Sequence, residues 1–338
     1  MDVVLHTVVM THPRRLSSAQ ALRERHPELD PVIVFDPEPE ATPSALRGAR
    51  LAWANAPADA THLLVVQDDM ILGQDIARHV MSAARAMPDA VLSFFTEWGS
   101  RTAHALRLAA VVGGSWVEVI DPYVPTSVHL MPTAIGRRVA EYPGDEADDV
   151  LLLRFVKEFG IPAYASVPNL AQHVPIASLM GNDIIQGPRP AAWWASPPGD
   201  LDATVAELPV VPVLPIFESY SICRIDGRNI KTHDYLTEHL GVPVKQQLDL
   251  FVEAMAEVDP GYAIREVVAE PLLLQFWLTA MIYGVVAGTP PPEEALRTLA
   301  PGSLRRFVPF PSLEKLPELL NPVVHQAIKL GSSIGKSA

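Results

Sequence analysis

Up to Phe95 the chain alternates short, nearly continuous apolar runs with longer stretches whose apolar residues recur at helical spacing. Val3 to Met10 reads as a first buried strand and runs into the polar turn Thr11-His12-Pro13-Arg14-Arg15. Ser17 or Ser18 can cap a helix extending through His26. Pro31 to Phe35 forms a second strand ending at Asp36. After a Pro- and Glu-rich loop, Thr42-Pro43 starts a helix with proline at its first position, carrying Leu46, Ala49, Leu51, Trp53 and Ala54. His62 to Gln67 is a third strand, wholly buried by composition, that stops abruptly at Asp68-Asp69. A helix from about Gln74 to Met87 and a strand from Ala90 to Phe95 follow. This alternation predicts an α/β fold with a doubly wound sheet flanked by helices.

Beyond Thr96 the rhythm changes. Glu97 to Arg101 reads as an exposed loop, and short strands are expected at Ala109 to Val112, Trp116 to Ile120 and Ser127 to Met131. Pro132 opens a helix to about Tyr142, and the acidic loop Gly144 to Asp149 leads into a helix from Val150 to Phe159. A strand from Ile161 to Ser166 precedes Pro168-Asn169-Leu170-Ala171-Gln172-His173. Frequent prolines between Gly187 and Pro215, with Trp193-Trp194 among them, predict an extended segment packed on the fold. Phe217 to Ile225 reads as one strand, and the remainder is mostly helical: Thr232 onward, Val244 to Val258, Pro271 to Val286 and Asn321 to Leu330. The domain expectation is therefore 1–186, a crossing segment 187–216, and a helical region 217–338 serving acceptor binding or oligomerisation.

Composition narrows the functions. The 26 basic and 39 acidic residues give a formal charge of −13, which argues against non-specific nucleic-acid binding. A single cysteine, Cys223, excludes an intramolecular disulfide or a multi-cysteine zinc site and fits a reducing cytoplasm. Met1-Asp2-Val3-Val4 begins as a strand and lacks the basic region of a secretory signal. Pro271 to Gly288 is apolar except for Gln275, at the short edge of membrane-spanning length; a buried helix is expected rather than a stable membrane anchor.

The chemistry gathers at predicted strand ends and helix starts. Ligands of open α/β sheets bind outside the carboxyl ends of the strands. Two adjacent carboxylates there repel each other unless a cation or several donors compensate them, and hard oxygen ligands suit Mg²⁺ or Mn²⁺. Asp68/Asp69, Asp148/Asp149 and His173 are the groups so placed. The alternative readings are structural: a strand end and helix cap at Asp68/Asp69, an acidic helix cap from Asp145 to Asp149, and a His173 bonded to a carbonyl.

Across roughly residues 3 to 182, this order of elements and residues resembles the nucleotide-sugar-dependent glycosyltransferases of the GT-A fold. Thr11, Pro13 and Arg14 look like part of that family's nucleotide-binding loop, with Arg15 beside them. Asp36 occupies the place of a residue contacting base or ribose. Gln67-Asp68-Asp69 looks like the family's DxD motif with its first acid replaced by Gln67. The resemblance implies that Asp69 and His173 ligate Mn²⁺ or Mg²⁺ and that Asp68 lies near the ribose. Asp148 is implied as catalytic base ahead of Asp149, although the family's preceding glutamate falls on Ala147. The resemblance thus implies a cytoplasmic, metal-dependent glycosyltransferase moving a sugar from a nucleoside diphosphate donor, a UDP-sugar favoured, to a hydroxyl-bearing acceptor with inversion. A nucleotidyltransferase is a competing class, though Thr11 to Arg15 contains no glycine. A non-catalytic sugar-nucleotide binder is another, and homo-oligomerisation is left open.

Overall fold

The computed structural model describes residues 2–176, 179, 181, 186–197 and 199–336; residue 182, where the family resemblance ends, lies outside them. The chain forms two compact units, one of Met1–Thr96 with Ser115–Val205 and the other of Glu97–Gly114 with Ala206–Ala338. These boundaries differ from the sequence expectation: residues 97–114 group with the C-terminal unit, and the segment after 186 joins the first unit through residue 205.

The first unit is built on β1 (Leu5–Thr11), β2 (Val32–Phe35), β3 (His62–Gln67), β4 (Met70–Leu72), β5 (Val91–Ser93), β6 (Trp116–Glu118), β7 (Val128–Pro132), β8 (Ala163–Ser166) and β9 (Ala171–His173). Seven of these make a mixed sheet in the order β2-β1-β3-β7-β5-β8-β6, while β4 and β9 pair separately as a two-stranded sheet. β1 runs parallel to both β2 and β3, with Val8 opposite Val32 and Val65, and β7 runs antiparallel to β3. Alternate strand residues feed opposite faces, as the pleat requires. Val9, Leu64 and Val66 pack with α1 (Leu16–Arg25) and α3 (Ile76–Ala86). Val8, Leu63 and Val65 pack with α2 (Ala45–Ala54), α5 (Thr133–Ala140) and α6 (Asp148–Phe159). Both faces are therefore covered, which is why Leu63 to Val66 of β3 form a continuous apolar run instead of alternating.

Because β2 and β3 lie on opposite sides of β1, the strand order reverses between β1 and β3. The carboxyl ends of these two strands, Thr11 and Gln67, flank that switch point, where open α/β sheets place their ligands.

Several local expectations change. α2 begins at Ala45, because the Ser44 hydroxyl accepts from the Arg47 amide at 3.3 Å, and Pro43 stays outside. Ala109 to Val112 is the end of α4 (Arg101–Val112), not a strand; Ser100 caps the Ala103 amide at 3.0 Å and Gly113, at φ 84°, ends the helix. A short apolar run carries no period that separates strand from buried helix. Glu97 to Ser100 is buried rather than an exposed loop: within the second unit the Glu97 carboxylate is ion-paired with Arg305, and Trp98 and Ser100 are enclosed. The extended segment after Gly187 does pack, with Ala191, Ala192 and Leu201 in the core, but Trp194 remains 44% exposed.

The second unit contains a three-stranded antiparallel sheet, β10 (Val211–Val213), β11 (Ile222–Ile225) and β12 (Arg228–Lys231), so Phe217 to Tyr220 lies outside the strand expected there. Its helices include α7 (Thr232–Leu240), α8 (Val244–Val258), α9 (Glu270–Ala287), the short α10 (Glu293–Arg297), α11 (Leu299–Leu304) and α12 (Phe310–Leu313), and the long α13 (Leu316–Gly335). α9 is long and apolar enough to cross a membrane by composition alone, yet 61% of it is buried within the structure. It packs closely on α13, where Gly331 lets the Met281 carbonyl approach and Gly284 lets that of Ile328 approach. A mostly buried core helix of a soluble protein has the same length and composition.

Candidate functional site

β1 ends in Thr11, and a single 3-10 turn, Pro13–Arg15, carries the chain into α1. His12 caps this turn through Nδ1, which accepts from the Arg14 amide at 3.1 Å. The turn decides which arginine faces the two aspartates. Arg14 and Pro13 are exposed, whereas Arg15 is largely covered and reaches the acids that follow β3. Arg15 Nη1 lies 3.3 Å from Asp68 Oδ1 and 3.3 Å from Asp69 Oδ2. The Thr11 hydroxyl donates to Asp68 Oδ2. A strand end and the turn after its neighbour are thereby joined across the switch point.

His173 arrives through the small sheet. Met70 pairs with His173 in the β4–β9 ladder, and the Val174 amide donates to the Asp69 carbonyl at 2.8 Å. His173 Nε2 then lies 3.4 Å from Asp69 Oδ2, and its ring packs against Phe95 with centroids 6.4 Å apart. Gln172 Oε1 accepts from the His173 and Ala191 amides at 2.9 and 2.7 Å, fixing this corner. The structure thus places Thr11, Asp68, Asp69 and His173 side by side, with Arg15, which was not among the site residues expected from the sequence, between the two acids.

The two acids differ electrostatically. Burial raises the Asp68 carboxyl above the usual aspartate range, and the Thr11 hydroxyl only partly counters it. Burial pushes Asp69 upward too, but His173, Arg15 and Arg189 outweigh it, so Asp69 titrates below its ordinary value. Asp69 is therefore held ionised. Its Oδ1 is shut off from solvent and has no hydrogen-bond partner among the described residues. A buried, ionised oxygen left in that state is costly unless a donor or cation meets it.

Asp36 lies at the rim. Its amide donates to the Thr11 carbonyl at 3.0 Å, but its carboxylate is gripped by Arg47 through Nε at 2.6 Å and Nη2 at 2.8 Å. That bidentate contact lowers the Asp36 pKa, despite partial burial. Arg47 shapes this edge and had no signature in the sequence.

The second acidic pair reaches the same end of the sheet by another path. Continuing the β3–β7 register past Val66 and Val128 sets Ser127 against Gln67, whose amide donates to the Ser127 carbonyl at 2.8 Å. Thr126 directly precedes Ser127, and its hydroxyl donates to Asp148 Oδ2 at 2.7 Å. Asp148 and Asp149 are the first two residues of α6 rather than a loop before it. There the free amides and the helix dipole favour negative charge. Asp149 Oδ1 accepts from the Val150 amide at 2.8 Å. Burial still raises Asp148, despite the Thr126 hydroxyl. Burial and then the neighbouring Asp148 charge push Asp149 to about 6.

Thr126 is itself anchored. Trp53 Nε1 donates to His129 Nε2 at 2.9 Å, which leaves the imidazole proton on Nδ1, 2.7 Å from the Thr126 carbonyl. Burial holds the His129 pKa down to about 4, so the ring stays neutral and the tautomer is fixed. Neither Thr126 nor His129 was singled out from the sequence; a Thr two residues before a strand gives no recognisable signal.

Among the described residues, no group of three or more His, Cys, Asp or Glu side chains converges as a ready-made metal cage. Asp69 and His173 would be two ligands for such an ion, and Mg²⁺-type sites often use one or two carboxylates plus substrate phosphates. The unpartnered Asp69 Oδ1 fits such a cation. No protein-family model matches the chain, and no curated protein matches it.

Proposed function

We propose that this chain is a nucleotide-sugar-dependent glycosyltransferase of the GT-A type, transferring a sugar from a nucleoside diphosphate donor, a UDP-sugar by preference, to a hydroxyl-bearing acceptor. One observation carries the reading. Three separated segments, ending in Thr11/Arg15, Asp68/Asp69 and His173, form one hydrogen-bonded and ion-paired cluster at the sheet's switch point. Asp69 and His173 are the residues that would hold Mn²⁺ or Mg²⁺, which supplies Lewis-acid stabilisation of the leaving diphosphate. Thr11 orients Asp68 toward the nucleotide side of the crevice, and Arg15 offers positive charge for the phosphates.

The acceptor's proton needs a base. We assign it to Asp149 in place of Asp148, the sequence expectation. One Asp148 oxygen is held by Thr126 and the side chain is enclosed. Asp149 is less covered and titrates at about 6, so it is mostly ionised near neutral pH yet basic enough to take a proton. Asp148 then holds the helix start and, through its charge, tunes Asp149. Attack by a deprotonating hydroxyl opposite the leaving diphosphate gives inversion.

A sugar-nucleotide binder without turnover is the second reading, favoured by Gln67 in place of the first acid. A thermal-shift panel of nucleotides with and without Mn²⁺ tests the binding common to both. Stabilisation by a nucleoside diphosphate that grows with Mn²⁺ is expected; no stabilisation by any nucleotide refutes both. Release of UDP from a UDP-sugar then separates enzyme from binder.

A further inference from the structure

We infer that Arg15 is a resident counter-cation that a divalent metal must displace, and that the displaced guanidinium is handed to the donor's diphosphate. This rests on the glycosyltransferase reading and adds to it a coupling between metal and nucleotide. The geometry is specific. A single nitrogen, Arg15 Nη1, bridges Asp68 Oδ1 and Asp69 Oδ2 at 3.3 Å each. Asp69 Oδ2 also faces His173, while Oδ1 has no partner among the described residues. A dication held by Asp69 and His173 would therefore lie beside the guanidinium, and two cations at that separation repel strongly in a partly buried crevice. Binding of metal alone must break the Arg15 contacts or tolerate that repulsion.

The same side chain sits on the turn after β1, next to Thr11, at the switch point. A diphosphate at the switch point offers the displaced guanidinium two oxygens of matching fork geometry. Metal binding alone loses the Arg15 ion pairs, and nucleotide binding alone finds Arg15 occupied. Together they exchange partners: metal to the carboxylates, guanidinium to the phosphates. The two ligands are then positively coupled, and the coupling is reciprocal. Arg15 is a positioning residue in this scheme, and its removal carries an unusual sign: deleting a positive charge weakens the nucleotide but strengthens the metal.

Isothermal titration calorimetry on the full chain tests this with three titrations: MnCl₂ alone, UDP in chelator, and UDP at saturating MnCl₂. The wild-type protein should bind Mn²⁺ weakly and UDP far more tightly when Mn²⁺ is present. In Arg15→Gln, Mn²⁺ alone should bind tighter by roughly an order of magnitude, the scale of one charge-assisted contact removed, and the gain in UDP affinity from Mn²⁺ should shrink. Arg15→Lys, a second variant that keeps the charge, should bind Mn²⁺ alone as weakly as wild type. Unchanged or weaker Mn²⁺ binding in Arg15→Gln, or tightening in Arg15→Lys, overturns the inference. If wild-type protein meanwhile binds UDP with Mn²⁺, the glycosyltransferase reading stands without it. If wild-type protein binds no UDP at all, that reading falls and the inference falls with it.

Discussion

Asp149→Asn should stabilise the protein at neutral pH while removing its proposed base. In the folded chain Asp149 titrates at about 6 against an ordinary 3.8, because burial and then the Asp148 charge disfavour its ionised form. The sign follows from linkage. Between those two values the folded state binds more protons than the unfolded one, so stability falls as pH rises through that window and the loss is complete above about 6. At about 1.4 kcal/mol per tenfold, ionised Asp149 costs up to about 3 kcal/mol, less whatever solvent at its partly open edge recovers. Asparagine is neutral at every pH and keeps an acceptor for the Val150 amide, which lies 2.8 Å from Asp149 Oδ1. Urea titrations of both proteins from pH 4 to 8, followed by a probe in the first unit such as Trp53 fluorescence, give the difference. It should be near zero at pH 4, grow through pH 5 to 6, and level off at about 1–3 kcal/mol. A difference that is flat with pH, or that favours wild type at pH 7.5, refutes the claim that Asp149 is held ionised against desolvation.

The turnover counterpart follows from the same assignment. Asp149→Asn should lower kcat by about two or more decades with UDP affinity nearly unchanged, and a normal rate there beside a dead Asp148→Asn would return the base to Asp148. Replacing Asp69 by Asn should abolish the Mn²⁺ dependence of UDP binding without changing the circular dichroism spectrum; unchanged dependence would remove Asp69 from the cation site. Gly331→Ala puts a methyl against the Met281 carbonyl and should cost about 1–3 kcal/mol, measured as a lower Tm, because backbone must move to admit it. Detergent-free, monodisperse recovery is expected for the full chain, since α9 is buried; retention in a washed membrane pellet would contradict that.

What the sequence made legible was set by short-range signals. β3 was readable because the apolar run Leu63 to Val66 is followed closely by two acids, and the β1–α1–β2 rhythm because strand and helix differ in period. Asp68, Asp69 and His173 were legible as a candidate site because charge at a strand end is unusual. The rest depended on contacts no local pattern carries. Glu97 looked solvated because its partner, Arg305, lies 208 positions away. Arg14 and Arg15 are neighbours with equal propensity, and only the 3-10 turn directs the second onto the aspartates. Thr126 is tied to Asp148 through its hydroxyl and to a fixed His129 tautomer through its carbonyl, both tertiary facts. α4 was mistaken for a strand because its last turn was all the pattern offered.

Anomalous diffraction at the manganese edge, on crystals grown with MnCl₂ and UDP, tests the cation site. One strong peak is expected within coordination distance of Asp69 Oδ1 and a His173 ring nitrogen, with UDP phosphates completing the shell and the Arg15 guanidinium moved off the aspartates. A peak elsewhere, or UDP bound at the switch point with no manganese and Arg15 still bridging Asp68 and Asp69, would contradict it.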